Sequence, residues 1–96
     1  MPQIKWLPEA LADVERLHAF FYEKSPVAAA RAAKTILDGA GLLQSIPDIG
    51  RPMGDDTGRR ELVASFASGA FVLRYMRDNN DTIVIIRVWH SKENRT

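Results

Sequence analysis

The sequence predicts an α+β domain in which an N-terminal helical hairpin packs on a small, mostly antiparallel sheet, in the order β-α-α-β-β-β. Three observations carry this expectation. Apolar residues recur at helical spacing through residues 8–45, short apolar strands fill residues 60–90, and the joints between elements are only a few residues long. Short joints make successive elements antiparallel neighbours. At 96 residues the chain suits one domain over residues 1–96, with a single core and no need of covalent staples.

Residues 3–7 form a short first strand, and Pro8 then fits the first turn of a helix, where its missing N–H has no intrahelical partner in any case. That helix spans residues 8–24. Its apolar stripe runs through Leu11, Val14, Leu17 and Phe21, and Asp13, Glu15, Arg16 and Glu23 fall mostly outside it. Ser25-Pro26 supplies an N-cap oxygen and a proline at the first helical position, so a second helix starts at once. It is rich in alanine, with a stripe through Ala29, Ala33, Ile36, Ala40 and Leu43 that lets another element approach closely. Gly39 and Gly41 weaken its end, which is expected before Pro47.

Residues 46–58 collect Pro47 and Pro52 and glycines at 50, 54 and 58 alongside Asp55 and Asp56, a loop composition. Three strands follow at residues 60–66, 70–77 and 82–90, joined by Ala67-Ser68-Gly69 and by Asp78-Asn79-Asn80-Asp81 as a meander. Strict alternation in the last strand puts Val84, Ile86 and Val88 on one face, and Ile83, Ile85, Arg87 and Trp89 on the other. With apolar residues on both faces, that strand is interior or covered by a partner.

Composition excludes several classes of function. The chain has no cysteine, so disulfides and thiolate metal sites are impossible, and its two histidines argue against zinc. No cofactor or metal is expected. No apolar run approaches the roughly 18 residues of a membrane span, the N-terminus lacks a signal peptide's apolar core, and a cytoplasmic protein is expected. Although eight of the thirteen Lys and Arg residues lie after residue 50, the net charge of +1 does not make bulk attraction to nucleic acid the driver.

The chemistry that remains is concentrated in the last third. Arginines inside apolar strands must find acceptors or reach water. Arg59, Arg60, Arg74 and Arg87 either line a groove for phosphates or carboxylates or join Glu61 in a structural ion-pair network. His90 is the one candidate general acid or base of the C-terminal tail; its structural alternative is a strand-ending residue bonded to a neighbour. Nucleophile elbows and the Walker and Rossmann glycine patterns are missing.

The ordered set Gly50-Arg51-Pro52, Arg60-Glu61-Leu62-Val63, Phe71-Val72-Leu73-Arg74-Tyr75 and Val88-Trp89-His90, with Lys92, Glu93 and Arg95 behind it, resembles the RelE/ParE superfamily of bacterial type II toxins. The likeness covers nearly the whole chain. The superfamily has two branches. RelE-like members cut mRNA on the ribosome with basic residues on the central strands and often a C-terminal tyrosine. By that resemblance a nuclease site would use Arg74, Arg87 and His90. The branch's arginine after the strand aromatic is here Val72, however, and no tyrosine follows Tyr75.

The set looks closer to ParE-like toxins, which poison DNA gyrase and need no hydrolytic site. That likeness implies a surface for gyrase drawn from Arg60, Arg74, Arg87, His90, Lys92 and Arg95. It also implies a cognate ParD-like antitoxin lying across the hairpin and sheet, with Leu17, Phe21 and Trp89 as contact candidates. A degenerate, non-toxic module that only binds antitoxin is the third reading.

Overall fold

The computed structural model describes residues 2–93. The elements run β1 (Ile4–Trp6), α1 (Pro8–Tyr22), α2 (Pro26–Ser45), β2 (Arg51–Pro52), β3 (Arg60–Phe66), β4 (Gly69–Arg77) and β5 (Ile83–His90). The strands form one sheet in the order β1-β5-β4-β3-β2, parallel only where β1 meets β5. The expected α+β architecture is present, with one strand more than the sequence suggested. Arg51–Pro52 lies inside the predicted loop and pairs with Arg60 and Glu61. Two residues leave no periodicity to read.

Local chemistry explains the hairpin. Pro8 opens α1, whose first turn also carries Glu9. Ser25 Oγ accepts the Ala28 amide at 2.9 Å and so caps α2, while the Lys24 and Ser25 amides both return to the Phe21 carbonyl. The reversal is therefore complete within a few residues. α1 lies over β5, and α2 over β3 and β4.

Between the helices and the sheet lies one core, with Leu17, Phe21, Ile36, Leu43, Phe71, Leu73, Tyr75, Ile83, Ile85 and Val88 among its buried members. Gly39 does not fray α2. The helix continues to Ser45, and the glycine lies against Leu62 and Leu73, where an added Cβ would sit only 3.4 Å from Leu73 Cδ2. The absent side chain sets how closely α2 approaches the sheet.

Two sequence expectations are corrected here. Leu11, placed on the buried stripe of α1, is 50% exposed, whereas Asp13, placed outside it, is 2% exposed. The buried face is Ala10, Asp13, Leu17 and Phe21. Strict alternation also fails in β5. Arg74 pairs with Arg87 and Tyr75 with Ile85, so Ile86 is an extra residue in a bulge. That one residue turns Val88 and His90 to the core face shared by Ile83 and Ile85, and leaves Arg87 and Trp89 outside it.

Among the described residues, no helix is long and apolar enough to cross a membrane.

Candidate binding site

The strand arginines send their charge to acceptors within their own chain. β1 ends at Trp6, opposite Ile85, so the edge of β5 beyond that point has no strand beside it. Side chains take the strand's place. Asp13 Oδ2 accepts the Val88 amide at 2.8 Å, Arg16 donates to the Val88 carbonyl at 3.3 Å, and Glu93 Oε1 accepts the His90 amide at 2.9 Å. Arg87 binds both oxygens of Asp13, at 2.7 and 3.0 Å, and Arg16 binds both oxygens of Glu93, at 3.0 and 3.1 Å. Arg16 also bonds Asp13 directly, so the four side chains form one charge-neutral network.

Burial alone would raise the Asp13 carboxyl, but the bonds from Arg87, the Val88 amide and Arg16 outweigh it and hold the pKa below the ordinary carboxylate value. Glu93 behaves alike: desolvation raises it, Arg16 and the His90 amide lower it, and the net shift is downward. Arg87 is raised, chiefly by its bond to Asp13.

The other strand arginines are also engaged. Arg74 donates from Nε and Nη2 to Glu61 Oε2, at 3.0 and 2.8 Å, and lies 5.0 Å over the Trp89 ring. This is the cross-strand pair that the sequence left as an alternative. Arg60 donates to the Asp48 and Gly50 carbonyls at 3.1 and 2.7 Å. There it clamps the loop after α2, together with the Tyr75 hydroxyl, which donates to the Pro47 carbonyl and accepts the Gly50 amide. Burial raises the Tyr75 phenol.

His90 is 3% exposed, and both its nitrogens face backbone. Nδ1 accepts the Lys92 amide at 3.2 Å, which assigns the proton to Nε2, and Nε2 donates to the Phe66 carbonyl at 3.0 Å. Its ring sits edge-on to Phe21 and Phe71. An imidazole so held orders the end of β5 and offers no free nitrogen to a substrate. Arg60, Arg74, Arg87 and His90 thus each hold part of the scaffold, while Arg87 also stays exposed at the surface. Arg95 lies outside the described residues.

Leu17, expected to touch a partner, is fully buried in the core and presents no surface. Trp89 is half-buried on the outer sheet face under Arg74. Phe21 is 5% exposed, yet its ring reaches the floor of a cleft of about 530 Å³ at the hairpin turn. Phe20, Phe66, Val27 and Ala28 complete the apolar floor, and Lys24, Arg31 and Lys92 stand at the rim. The cleft joins three places far apart in the chain: the α1–α2 turn, the β3–β4 turn and the residues after β5.

Sequence reasoning missed Phe20, Lys24, Val27 and Arg31. Their signal was present in the Phe20-Phe21 pair, since adjacent residues cannot both lie on one helix stripe, and one bulky ring had to face out beside the turn. Among the described residues, no group of three or more His, Cys, Asp or Glu is placed to hold a metal.

Known proteins resemble this chain over nearly its whole length. Residues 4–95 match the family described as the ParE toxin of the type II toxin–antitoxin system parDE. Toxin RelE3 of Caulobacter vibrioides is 36% identical over 95 residues, which cover 99% of this chain and 100% of that one. Toxin RelE1 of the same organism is 34% identical over 86 residues, covering 90% and 89%. A solved structure of a chromosomal ParDE system from P. aeruginosa has the same fold, with a TM-score of 0.79 at 24% identity over 94% of this chain and 96% of that one.

Proposed function

This chain belongs to the ParE toxin family of type II toxin–antitoxin systems, and from that premise we propose that it acts by binding DNA gyrase and not by cutting RNA, until a cognate antitoxin covers it. The observation that carries this reading is the double backbone bond of His90 to Phe66 and Lys92. General acid–base catalysis needs a group within hydrogen-bond reach of the proton it moves. The histidine of the candidate nuclease set has both nitrogens committed, and its arginines Arg74 and Arg87 are held by Glu61 and Asp13.

Exposed Lys92 remains a candidate contact for the target, and Arg95 is proposed beside it from sequence alone. Poisoning would come from stabilising the complex of gyrase with cleaved DNA. The two Caulobacter relatives carry RelE names, which favours the mRNA endonuclease as the second reading.

One experiment separates the two. The purified chain is added to gyrase with supercoiled DNA, and in parallel to translating ribosomes. Trapped cleavage complexes with intact mRNA are expected. Codon-positioned cuts in the mRNA without trapping would overturn the proposal.

A further inference from the structure

Arg16, Lys34, Arg60, Arg74, Arg77 and Arg87 each meet a carboxylate of their own chain within 4 Å. Lys24, Arg31 and Lys92 do not. All three are exposed, they converge on the rim of one cleft, and no carboxylate lines it among the described residues. Among the described residues Lys5, Arg51 and Arg59 also meet no carboxylate within 4 Å, but it is Lys24, Arg31 and Lys92 that meet at one cleft, with Lys24 lying 6.0 Å over the Phe20 ring.

The floor sets the second requirement. Phe21 and Phe66 meet edge to face at 5.1 Å, and Phe20, 47% exposed, forms the wall beside them. Few polar side-chain atoms line the floor: the two His90 nitrogens are held by Lys92 and Phe66, and Ser25 Oγ already accepts the Ala28 amide, leaving the hydroxyls of Ser25 and Ser68. A nucleobase needs several partners for its edges, and this floor is mainly apolar. An aliphatic or aromatic side chain needs only the apolar area. Its neighbours in sequence would meet the cations.

We infer, on the reading that this chain is held by an antitoxin, that the cleft receives an acidic segment of that antitoxin. An apolar anchor enters between Phe20, Phe21 and Phe66, and flanking carboxylates pair with Lys24, Arg31 and Lys92. Apolar anchor and charged rim divide the work as in other interfaces, the anchor holding the complex and the charges steering and selecting it.

The test uses the full chain and a fluorescent synthetic peptide with one Leu-Trp pair flanked on each side by glutamates. Binding should weaken about tenfold when the glutamates become glutamines, and roughly 100-fold in K24E/R31E/K92E, whose like charges then oppose the peptide. Phe20→Glu, at an exposed position, should also abolish binding while the circular dichroism spectrum is unchanged. Reversal of the distant exposed Lys5, Arg51 and Arg59 should have no effect.

Equal affinity for both peptides, or an unaffected K24E/R31E/K92E, overturns the proposal. So does capture of a thymidine oligomer in preference to the peptide. Co-purification with the product of the adjacent gene separates the two layers. Retention by the wild-type chain and loss from K24E/R31E/K92E supports the cleft, whereas equal retention by both overturns the cleft and leaves the antitoxin reading standing. Failure with the wild-type chain overturns the antitoxin reading and the proposed occupant with it.

Discussion

The Asp13 carboxylate accepts the Val88 amide at 2.8 Å and so takes the position that a neighbouring strand's carbonyl would fill. β1 is three residues long and ends before this point, which leaves the amide to be satisfied by a side chain from the helix layer. A buried amide left without an acceptor is costly. Asp13→Ala should therefore lower the unfolding free energy by about 2–4 kcal/mol, since it also strips Arg87 and Arg16 of their carboxylate. Urea denaturation compared with Leu11→Ala, at an exposed position two residues earlier, checks this; equal losses would rule the role out.

The same network sets an acid limit. Asp13 and Glu93 both have pKa values lowered by folding, so the unfolded chain binds protons first as pH falls. Their contribution is complete above the unfolded carboxyl values, near pH 4, and is lost as pH falls through the lower folded values. Stability should be flat from pH 7 to about 5 in this respect and then drop. Asp13→Asn with Glu93→Gln should start lower and show a shallower decline in the same titration.

The glycines of α2 and the following loop should respond in opposite directions. Gly41 is exposed within the helix, and an added Cβ would meet nothing within 4 Å. Gly41→Ala should stabilise by about 0.5–1 kcal/mol. At Gly50 the same Cβ would lie 2.6 Å from the Tyr75 ring and hydroxyl. Gly50→Ala should destabilise, and Tyr75→Phe should cost about 1–3 kcal/mol by leaving the Gly50 amide unpaired. Thermal melts of the three variants give the order.

His90→Ala removes an edge-on ring from Phe21 and Phe71 and leaves the Phe66 carbonyl and the Lys92 amide without their partner. The expected result is a loss of stability of roughly 2 kcal/mol, with gyrase trapping reduced only in proportion to the unfolded fraction. A catalytic imidazole would behave otherwise: cleavage of mRNA would fall by about 100-fold or more at unchanged stability.

Element order and type were legible because both rest on local patterns: Pro8, the Ser25-Pro26 cap, the alanine stripe and the three strands. The pairing of β1 with β5, the two-residue β2 and the bulge at Ile86 were not. The first depends on a partner remote in sequence, the second is too short to show a period, and the third is a property of how β5 pairs with β4. The bulge matters most, since a single unpaired residue reversed the faces assigned to Val88, Arg87 and Trp89 relative to the first half of the strand.

At the candidate site, charge was read at the right residues and with the wrong destination. Arg87 looked free because its acceptor, Asp13, is 74 positions away on what periodicity called the polar face. Among the strand arginines, only Arg74 had its partner on the adjacent strand, where the sequence can suggest it. Lys24, Arg31 and Lys92 could be recognised as a set only once the fold had brought the hairpin turn and the end of β5 to one cleft.

The parallel pairing of Ile4 with Ile83 also has a temporal side. The first strand made on the ribosome has no neighbour until nearly the whole of the described chain has followed it, and α1 waits equally long for the amide that Asp13 accepts. Closing such distant contacts is slow, and partly built intermediates expose apolar surface. Ribosome-bound chains stopped before residue 83 should remain open to protease, and those extended past residue 93 and clear of the ribosome should resist it. A protein wired in this way can complete its sheet only late in its own synthesis.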